Sequence, residues 1–208
     1  MTEHIKITWL GHSCFKAESQ GYTVIFDPYE NGYVPGLNLE QQEANLVLCS
    51  HEHGDHNARA MVTIKDTVPS PFQIRTISTF HDDRQGALRG SNTIHILDDK
   101  VFRIAHAGDL GCSLLPEQKE ALKNLDLLMI PVGGYYTIDA AQARKLAEDI
   151  TPRIVIPMHY RGPQFGFDVL APLSDYTDLC DDAVYYDSNV LELTKETPGQ
   201  TAVLTLKR

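Results

Sequence analysis

The chain has 208 residues, of which 42% are hydrophobic and 22% charged, a composition typical of a folded globular domain. Its net charge of −10 argues against nucleic acid held by broad phosphate neutralisation, because there is no basic excess. No apolar run approaches the length of a membrane span, and the first residues lack the pattern of a signal peptide. We therefore expect one cytoplasmic domain over residues 1–208, with no membrane or nucleic-acid partner. A homo-oligomer is left open.

The four cysteines form no CxxC pair, so neither a zinc ribbon nor a dithiol redox motif is present. They are Cys14, Cys49, Cys112 and Cys180.

The beginning of the chain predicts β-structure. His4–Leu10 alternates apolar and polar residues, and Cys14–Ser19 returns as Tyr22–Phe26 through a tight turn. A loop rich in turn residues follows, from Pro28 to about Gln42. Further strands are predicted at Leu46–Cys49, Ile74–Phe80, Thr93–Leu97, Val101–Ala105, Leu127–Pro131, Ile154–Pro157, Ala183–Tyr186 and Ala202–Leu206.

Fewer segments predict helices. Pro116–Leu125 has proline in its first turn, and Asp139–Ile150 carries an apolar face, with Thr137 as the expected N-cap. A shorter helix is expected from near His56 past Met61. A run of strands followed by mixed strands and helices favours an α+β fold, with packed sheets and helices outside them, over an alternating βα barrel.

The strongest functional signal is the hexapeptide His51-Glu52-His53-Gly54-Asp55-His56. In an extended loop, residues two apart point the same way, so His51 and His53 can bind one metal ion together. Gly54 lets the backbone turn, so that Asp55 and His56 can reach a second ion. Imidazoles and a carboxylate suit zinc, manganese or iron. The alternative is a histidine-rich surface turn in which Asp55 only caps the next helix.

Three more potential ligands follow apolar strands, as His51 does. His81 ends one predicted strand, Asp109 lies just past another, and His159 ends a third. Because strand ends that share a sheet edge commonly carry functional residues, we expect these side chains to meet the hexapeptide.

The HxHxDH pattern followed by single His, Asp and His residues resembles the metallo-β-lactamase superfamily. Four further segments are similar to its branch of small, single-domain metal-dependent hydrolases, which is related to the ascorbate-6-phosphate lactonases. They are Ile25-Phe26-Asp27-Pro28, Thr79-Phe80-His81, His106-Ala107-Gly108-Asp109 and Pro157-Met158-His159-Tyr160. The resemblance runs from about Ile5 to Tyr160.

This resemblance implies an αββα four-layer sandwich with two divalent metal ions at the edge between the sheets, zinc first, with manganese or iron as alternatives. It assigns His51, His53 and His81 to one ion. Asp55, His56 and His159 would bind the other, with Asp109 bridging the two. Asp27 would hold the motif loop by hydrogen bonds.

The chain also departs from some members of the superfamily. Asn57-Ala58-Arg59 stands where a Gly-Gly pair often follows the motif in glyoxalase-II-like members. About 25 residues separate His56 from His81, which leaves no room for the large inserted domain of the nucleic-acid-cleaving relatives. His53 replaces the glutamate expected of a di-iron oxygen reductase, and no flavodoxin-like extension is present.

Four other histidines need an assignment. His106, three residues before Asp109, competes with His81 as the third histidine ligand; strand alternation favours His81 and leaves His106 beside the site. We expect His12 to be structural, and His4 and His95 to lie on the surface.

A metal ion lowers the pKa of bound water to about 7, and the resulting hydroxide would attack an ester, lactone or phosphoester of a small molecule. Asp55 and Asp109 are the expected catalytic carboxylates, and Tyr136, Tyr160 and Arg161 are the expected oxyanion donors. The loops Pro28–Gln42 and Arg161–Ser174 flank the motifs. The second contains Phe165 and Phe167 and is a candidate lid. Among the arginines, Arg84, Arg89 and Arg161 could receive a phosphate.

Three alternatives remain. One is a phosphodiesterase of the same fold, and another is a module that binds metal without turnover. The complete ligand set favours catalysis, because structural sites usually close at four ligands. The third, an amidohydrolase barrel opening with HxH, is disfavoured because too little chain follows the motif for a barrel of about 250 residues.

Overall fold

Two large β-sheets, one two-stranded sheet and three α-helices organise the described part of the chain in the computed structural model, which covers residues 4–65 and 68–206. The strands are β1 (Ile5–Gly11), β2 (Cys14–Ser19), β3 (Tyr22–Phe26), β4 (Gln42–Ala44), β5 (Leu46–Leu48), β6 (Val62–Ile64), β7 (Gln73–Phe80), β8 (Ser91–Asp98), β9 (Arg103–His106), β10 (Leu127–Pro131), β11 (Ile154–Met158), β12 (Ala183–Tyr185), β13 (Val190–Leu193) and β14 (Gln200–Val203). The helices are α1 (Pro116–Ala121), α2 (Ala140–Ile150) and α3 (Ser174–Thr177), with a 3-10 turn at Arg59–Met61.

The first sheet has the order β13-β1-β2-β3-β5. Its first four strands are antiparallel, and β5 joins β3 in parallel. Along β3, Val24 and Phe26 belong to the main core, whereas Ile25 between them belongs to a second apolar cluster. Successive side chains of a strand point to opposite faces, so this sheet is buried on both sides.

The second sheet has the order β12-β14-β11-β10-β9-β8-β7. Five neighbouring strands run parallel, from β12 to β9, and the β8–β7 hairpin adds an antiparallel edge. Every residue of β10 and β11 is buried. Such unbroken apolar runs are typical of parallel strands covered on both faces.

The helices cover one side of this second sheet. α1 and α2 connect β9 to β10 and β10 to β11, and right-handed crossovers between successive parallel strands place both helices on the same face. The inner side of α2 is formed by Ala143, Leu146, Ala147 and Ile150, as its apolar pattern predicts.

A loop and short strands cover the outer face of the first sheet. Tyr29, Val34 and Leu37 from the loop after β3 pack on Ile25 and Val47, together with residues of the β4–β6 pair. The α+β sandwich is thus confirmed, although this outer layer is built of loop, the β4–β6 pair and a 3-10 turn.

Several local predictions were wrong. The N-cap of α2 is Asp139, whose carboxylate accepts from the Gln142 backbone N–H, so Thr137 is not the cap. The helix expected near His56 is only the 3-10 turn, and α1 ends at Ala121. Short elements were missed, namely β4, β6, β13 and α3. No helix in the described part of the chain is long and apolar enough to cross a membrane.

Candidate metal centre

The predicted ligands collect where strands of both sheets end. The hexapeptide follows β5, His81 follows β7, Asp109 follows β9 and His159 follows β11. Asp27 stands directly after β3. Because β9, β10 and β11 are parallel, their carboxyl ends lie at one edge of the second sheet. The cluster therefore lies at that edge, where the end of β5 also arrives.

Two groups of donor atoms lie within this cluster, beside a third that joins Asp27 to His51 and His56, and in each group all donor atoms are within 4.8 Å of one another. The first group, group A, contains His51, His53 and His81, of which His53 is exposed. The second, group B, contains His12, Asp55, His56 and His159, all buried. Both groups contain the ligands expected from the sequence, and group B adds His12.

The Asp109 carboxylate lies between the two groups. Its Oδ2 is 3.3 Å from Nε2 of His81 in group A. The same oxygen is 3.1 Å from Nε2 of His56 and 3.2 Å from Nε2 of His159, both in group B. One carboxylate oxygen therefore contacts both sets of imidazoles, which is the arrangement required of a bridging ligand.

Hydrogen bonds orient two of these imidazoles from behind. Asp27 is fully buried and accepts from His56 Nδ1 at 2.7 Å, from Ser50 N at 2.7 Å and from Ser50 Oγ at 2.6 Å. Since the Ser50 hydroxyl donates to Asp27, it can only accept from His51 Nδ1, 2.9 Å away. Both histidines thus carry their proton on Nδ1, which leaves the Nε2 lone pair directed at the cluster.

The other sides of the imidazoles and of Asp109 have no such partners. Among the residues the structure describes, the buried atoms without a hydrogen bond include Nε2 of His12, His51, His56 and His159, and Oδ1 of Asp109. A buried polar atom without a partner is costly, and so many converging on one place call for a ligand. Imidazole nitrogens with two carboxylates are a donor set for zinc and related divalent cations, so the residues fit the metals expected from the sequence.

The electrostatics of the cluster also call for positive charge. Burial opposes ionisation of Asp109, but the neighbouring His159 and His56 hold the pKa of this carboxyl well below its usual range. Burial likewise opposes a charge on His56, but the carboxylates of Asp109 and Asp55 raise the pKa of that imidazole well above its ordinary value, so a cation that binds to Nε2 must displace the proton held there. Burial, and next the neighbouring His56, lowers the pKa of His51 to about 3, so this ring is neutral at pH 7 and available as a ligand.

The backbone is strained at three residues of this region. His12, Asp27 and His159 have φ values of 50°, 43° and 54°, in the left-handed region that non-glycine residues seldom adopt. Such strain persists only where surrounding contacts impose it, and it is concentrated at functional sites.

A cavity of about 230 Å³ opens onto the cluster. From the metal centre it is lined by His53, Asp55, His81 and Asp109, and from the surrounding loops by Tyr33, Arg89, Tyr136 and Phe167. The Arg89 guanidinium lies over the Tyr136 ring, 5.4 Å from its centre. Tyr136, the expected oxyanion donor, and Phe167, from the candidate lid, thus both line the cavity, and their roles stay predictions.

Tyr160 and Arg161 are placed elsewhere, contrary to expectation. Tyr160 packs between Trp9 and Phe165. Tyr160 and Arg161 line a separate groove of about 540 Å³. Phe165 is partly buried and packs against the core and lines this groove, so it is not part of a lid over the cluster.

The structure favours His81 over His106 as the third imidazole of group A. Gly108 N donates to His106 Nδ1 at 3.2 Å, and His106 Nε2 donates to Ser13 O at 2.8 Å, so both ring nitrogens are occupied. His106 stacks on Phe26 behind Asp27, beside the site as expected.

Two other histidines do not lie where they were expected. His95 is buried and donates from Nε2 to Cys49 O, whereas we expected it on the surface. His12 was expected to be only structural, but its Nε2 lies 3.4 Å from Asp55 Oδ2 within group B. His4 is exposed, as expected.

Comparison with known proteins agrees with this geometry. The family model described as "Beta-lactamase superfamily domain" matches residues 6–159, so the chain belongs to this superfamily. A UPF0173 metal-dependent hydrolase from Hyperthermus butylicus is 28% identical, with 74% of this chain and 82% of the relative covered. Another, from Thermoplasma acidophilum, is 29% identical, with 76% and 84% covered.

A solved structure from Thermotoga maritima, assigned to the zinc-dependent hydrolases of the metallo-β-lactamase superfamily, is 30% identical. It superimposes with a TM-score of 0.76 over 97% of this chain and 98% of that chain. The protein is therefore a metal-dependent hydrolase of the metallo-β-lactamase superfamily. The expected relation to ascorbate-6-phosphate lactonases stays a prediction.

Proposed function

We propose that this protein uses two divalent cations, zinc in the first place, to hydrolyse an ester, lactone or phosphoester bond of a small molecule in the cytoplasm. The observation that carries this proposal is the position of Asp109 Oδ2, within 3.1 to 3.3 Å of imidazoles from both donor groups.

The residues divide between the two cations as the groups do. His51, His53 and His81 would hold one, Asp55, His56 and His159 the other, and Asp109 would contact both. Cations bound there would supply Lewis acidity and lower the pKa of a coordinated water to near neutrality.

The protein's own groups then orient the reactants. The Asp55 carboxylate belongs to group B and also lines the cavity, so it can accept a hydrogen bond from the attacking water and direct it at the substrate. Two phenols, Tyr33 and Tyr136, line the same cavity, and Tyr136 is the one we assign as donor to the oxyanion that develops on the substrate. Asp27 and Ser50 are not among the residues that line the cavity, so we assign their hydrogen bonds to His56 and His51 to positioning and not to proton transfer.

The cavity supports a small substrate. Its volume of about 230 Å³ is below the roughly 300–1,000 Å³ of pockets that enclose drug-sized ligands. Arg89 is the only arginine or lysine among the residues that line it, and it is half-buried at the Tyr136 ring.

Arg89 also supports a phosphodiesterase as the second candidate. A cation in the lining of the cavity would pair with a phosphate or carboxylate of the substrate. The loop that carries it is fixed, because Asp82 accepts backbone N–H bonds from four of its residues, Arg84, Gly86, Leu88 and Arg89.

The test begins with protein stripped of metal by a chelator and reloaded separately with zinc, manganese or iron(II). Elemental analysis gives the number of bound ions, and turnover is measured with p-nitrophenyl acetate, dihydrocoumarin and bis(p-nitrophenyl) phosphate. We expect two ions per chain and metal-dependent hydrolysis of at least one probe class.

Asp55→Ala should abolish that hydrolysis, whereas Asp83→Ala, which removes an exposed carboxylate after His81, should leave it intact. Two bound ions without turnover of any probe would favour the non-catalytic module. Near-normal turnover by Asp55→Ala would refute the role given to this carboxylate.

A further inference from the structure

His12 occupies an unusual place for a buried histidine, the tip of a two-residue hairpin turn. Gly11 pairs with Cys14 at the end of β1 and β2, which leaves His12 and Ser13 as the turn. His12 has a φ of 50°, which such tight hairpin turns require and which glycine or asparagine usually supplies. A histidine here carries a backbone cost that calls for a compensating role of its side chain.

The side chain is buried where hairpin tips are normally exposed. His12 is 1% exposed, and its ring centre lies 4.2 Å from that of His159 and 5.3 Å from that of His56. Within the described residues Nδ1 of His12 has no hydrogen-bond partner, and Nε2 only approaches Asp55 Oδ2, itself a donor atom of group B, at 3.4 Å without good hydrogen-bond geometry. A structural histidine in a core would normally satisfy at least one of them, as His106 does with both.

The turn itself is held firmly. Trp9 Nε1 donates to His12 O at 3.0 Å, and His106 Nε2 donates to Ser13 O at 2.8 Å. The imidazole is therefore presented from a fixed backbone, with Nε2 3.4 Å from Asp55 Oδ2.

We propose that His12 is a direct ligand of the cation held by Asp55, His56 and His159. The inference rests on the proposed metal centre and adds one imidazole to it. It makes the two cation sites unequal: group B supplies four buried donors before Asp109 is counted, whereas group A supplies three, one of them exposed. Because group B has one donor more than group A and all of its donors are buried, the group B cation binds first and tightly, and the group A cation is the exchangeable one.

A measurement on the wild-type protein tests the ligand directly. The chain is labelled with ¹⁵N-histidine and loaded with ¹¹³Cd, and the imidazoles that show ¹¹³Cd–¹⁵N coupling are counted. Six coupled imidazoles are expected: the five of the proposed centre and His12. Five coupled imidazoles with two bound ions would overturn the inference and leave the metal centre standing, whereas a chain that binds no ion would refute both.

A variant gives an independent readout. His12→Asn keeps a residue that tolerates positive φ and removes the imidazole. His95→Asn is the matched control, because His95 is also buried and its Nε2 donates to Cys49 O. Zinc affinities are measured by competition with a chromophoric chelator, after circular dichroism has verified folding.

The tighter zinc-binding step should weaken by about 10-fold or more in His12→Asn, since even groups that only orient a ligand are worth roughly 10–100-fold in affinity. The weaker step, and both steps in His95→Asn, should keep wild-type values. An unchanged tighter step in folded His12→Asn would show that His12 is not a ligand.

Discussion

Replacing Asp27 by asparagine should weaken both the fold and the metal centre. The substitution keeps the shape of the side chain but removes its charge and one acceptor. Asp27 accepts from Ser50 N, from Ser50 Oγ and from His56 Nδ1, so the amide of an asparagine must face at least one group that now donates. The conflict between two facing donors is most easily removed by a change of the His56 tautomer, in which the proton moves from Nδ1 to Nε2. This change removes the Nε2 lone pair that the cation requires.

The magnitude follows from the environment of Asp27. Burial raises the pKa of this carboxyl, but His106 nearby and the bonds from His56 and Ser50 outweigh burial and lower it from 3.8 to about 2. That difference corresponds to about 2 kcal/mol of stability. Breaking a buried charged network by removing one partner typically costs about 3–5 kcal/mol. We therefore expect Asp27→Asn to lose about 2–5 kcal/mol of unfolding free energy at pH 7, together with roughly 10- to 100-fold in zinc affinity.

The pH dependence gives the sign of the effect. A carboxyl with a lowered pKa contributes its full stabilisation above the pKa of the unfolded chain, and loses it as the pH falls toward the folded value. The part of the difference in unfolding free energy between wild type and Asp27→Asn that comes from the Asp27 charge should thus be constant above about pH 5. It should fall to about half of that value by pH 3. Urea unfolding of the metal-free wild type and variant from pH 7 to pH 3 measures this difference.

Asp99→Asn is the matched control for this experiment. Asp99 is also buried and accepts from Ser19 Oγ, Val101 N and Phe102 N, but it belongs to neither donor group. It should destabilise the fold and leave zinc affinity unchanged. If Asp27→Asn bound zinc as tightly as Asp99→Asn does, Asp27 would not orient His56 for a cation.

Three further outcomes are expected. Arg89→Gln should raise the KM for an anionic probe, bis(p-nitrophenyl) phosphate, by roughly 10- to 100-fold and leave the KM for p-nitrophenyl acetate unchanged. Arg84→Gln, which changes an exposed arginine, is the control and should alter neither KM. Equal effects of Arg89→Gln on both probes would contradict anion recognition. Gly133→Ala would place a Cβ 2.1 Å from His159 O, so it should displace that histidine and lower zinc affinity in the same competition assay; wild-type affinity would show that the backbone adapts. Zinc at about 100 times its Kd should stabilise the fold by about 2.7 kcal/mol, seen as a rise in Tm that a chelator reverses; an unchanged Tm would argue against a site specific to the folded chain.

The positions of the expected ligands were predictable because strand ends are visible in the sequence. Leu127–Pro131 and Ile154–Met158 are unbroken apolar runs, typical of buried parallel strands, and such strands share an edge. His81, Asp109 and His159 each follow a strand, and this alone brings them together. In the hexapeptide, the spacing of the histidines and the aspartate by itself predicts metal ligands.

The remaining residues depend on tertiary contacts that no local pattern contains. His12 lies in a hairpin turn, and hairpin tips are usually exposed; here the hydrogen bond between His106 Nε2 and Ser13 O and the packing of the ring against His159 accompany its burial. His95 lies between the apolar Ile94 and Ile96, and from Ile94 to Leu97 the strand is buried on both faces, so a polar residue type there was wrongly expected on the surface. The sequence did contain one signal for His12: it is a histidine at a tight-turn position that favours glycine or asparagine, which indicates a role for its side chain.

Tyr160 and Arg161 show why closeness in sequence to a ligand is a weak guide. His159 has a φ of 54°, and this left-handed backbone turns the chain sharply after the ligand. The following tyrosine packs on Trp9, in the core, instead of facing the cavity. Tyr136 and Arg89, far from any ligand motif, reach the cavity through loops.

The charge of the cluster links the number of cations to the class of substrate. Asp27, Asp55 and Asp109 are buried together, and once the imidazoles are neutral, as metal ligands must be, these three carboxylates give the region a charge of −3. One divalent cation leaves −1, whereas two give +1, and burial of net negative charge without compensation is costly. Two cations thus both stabilise the carboxylates and reverse the sign of the field that a substrate meets beside Arg89. Inorganic phosphate should consequently bind the zinc-loaded protein in calorimetry and not the stripped protein, and equal binding to both forms would refute this account of the charge.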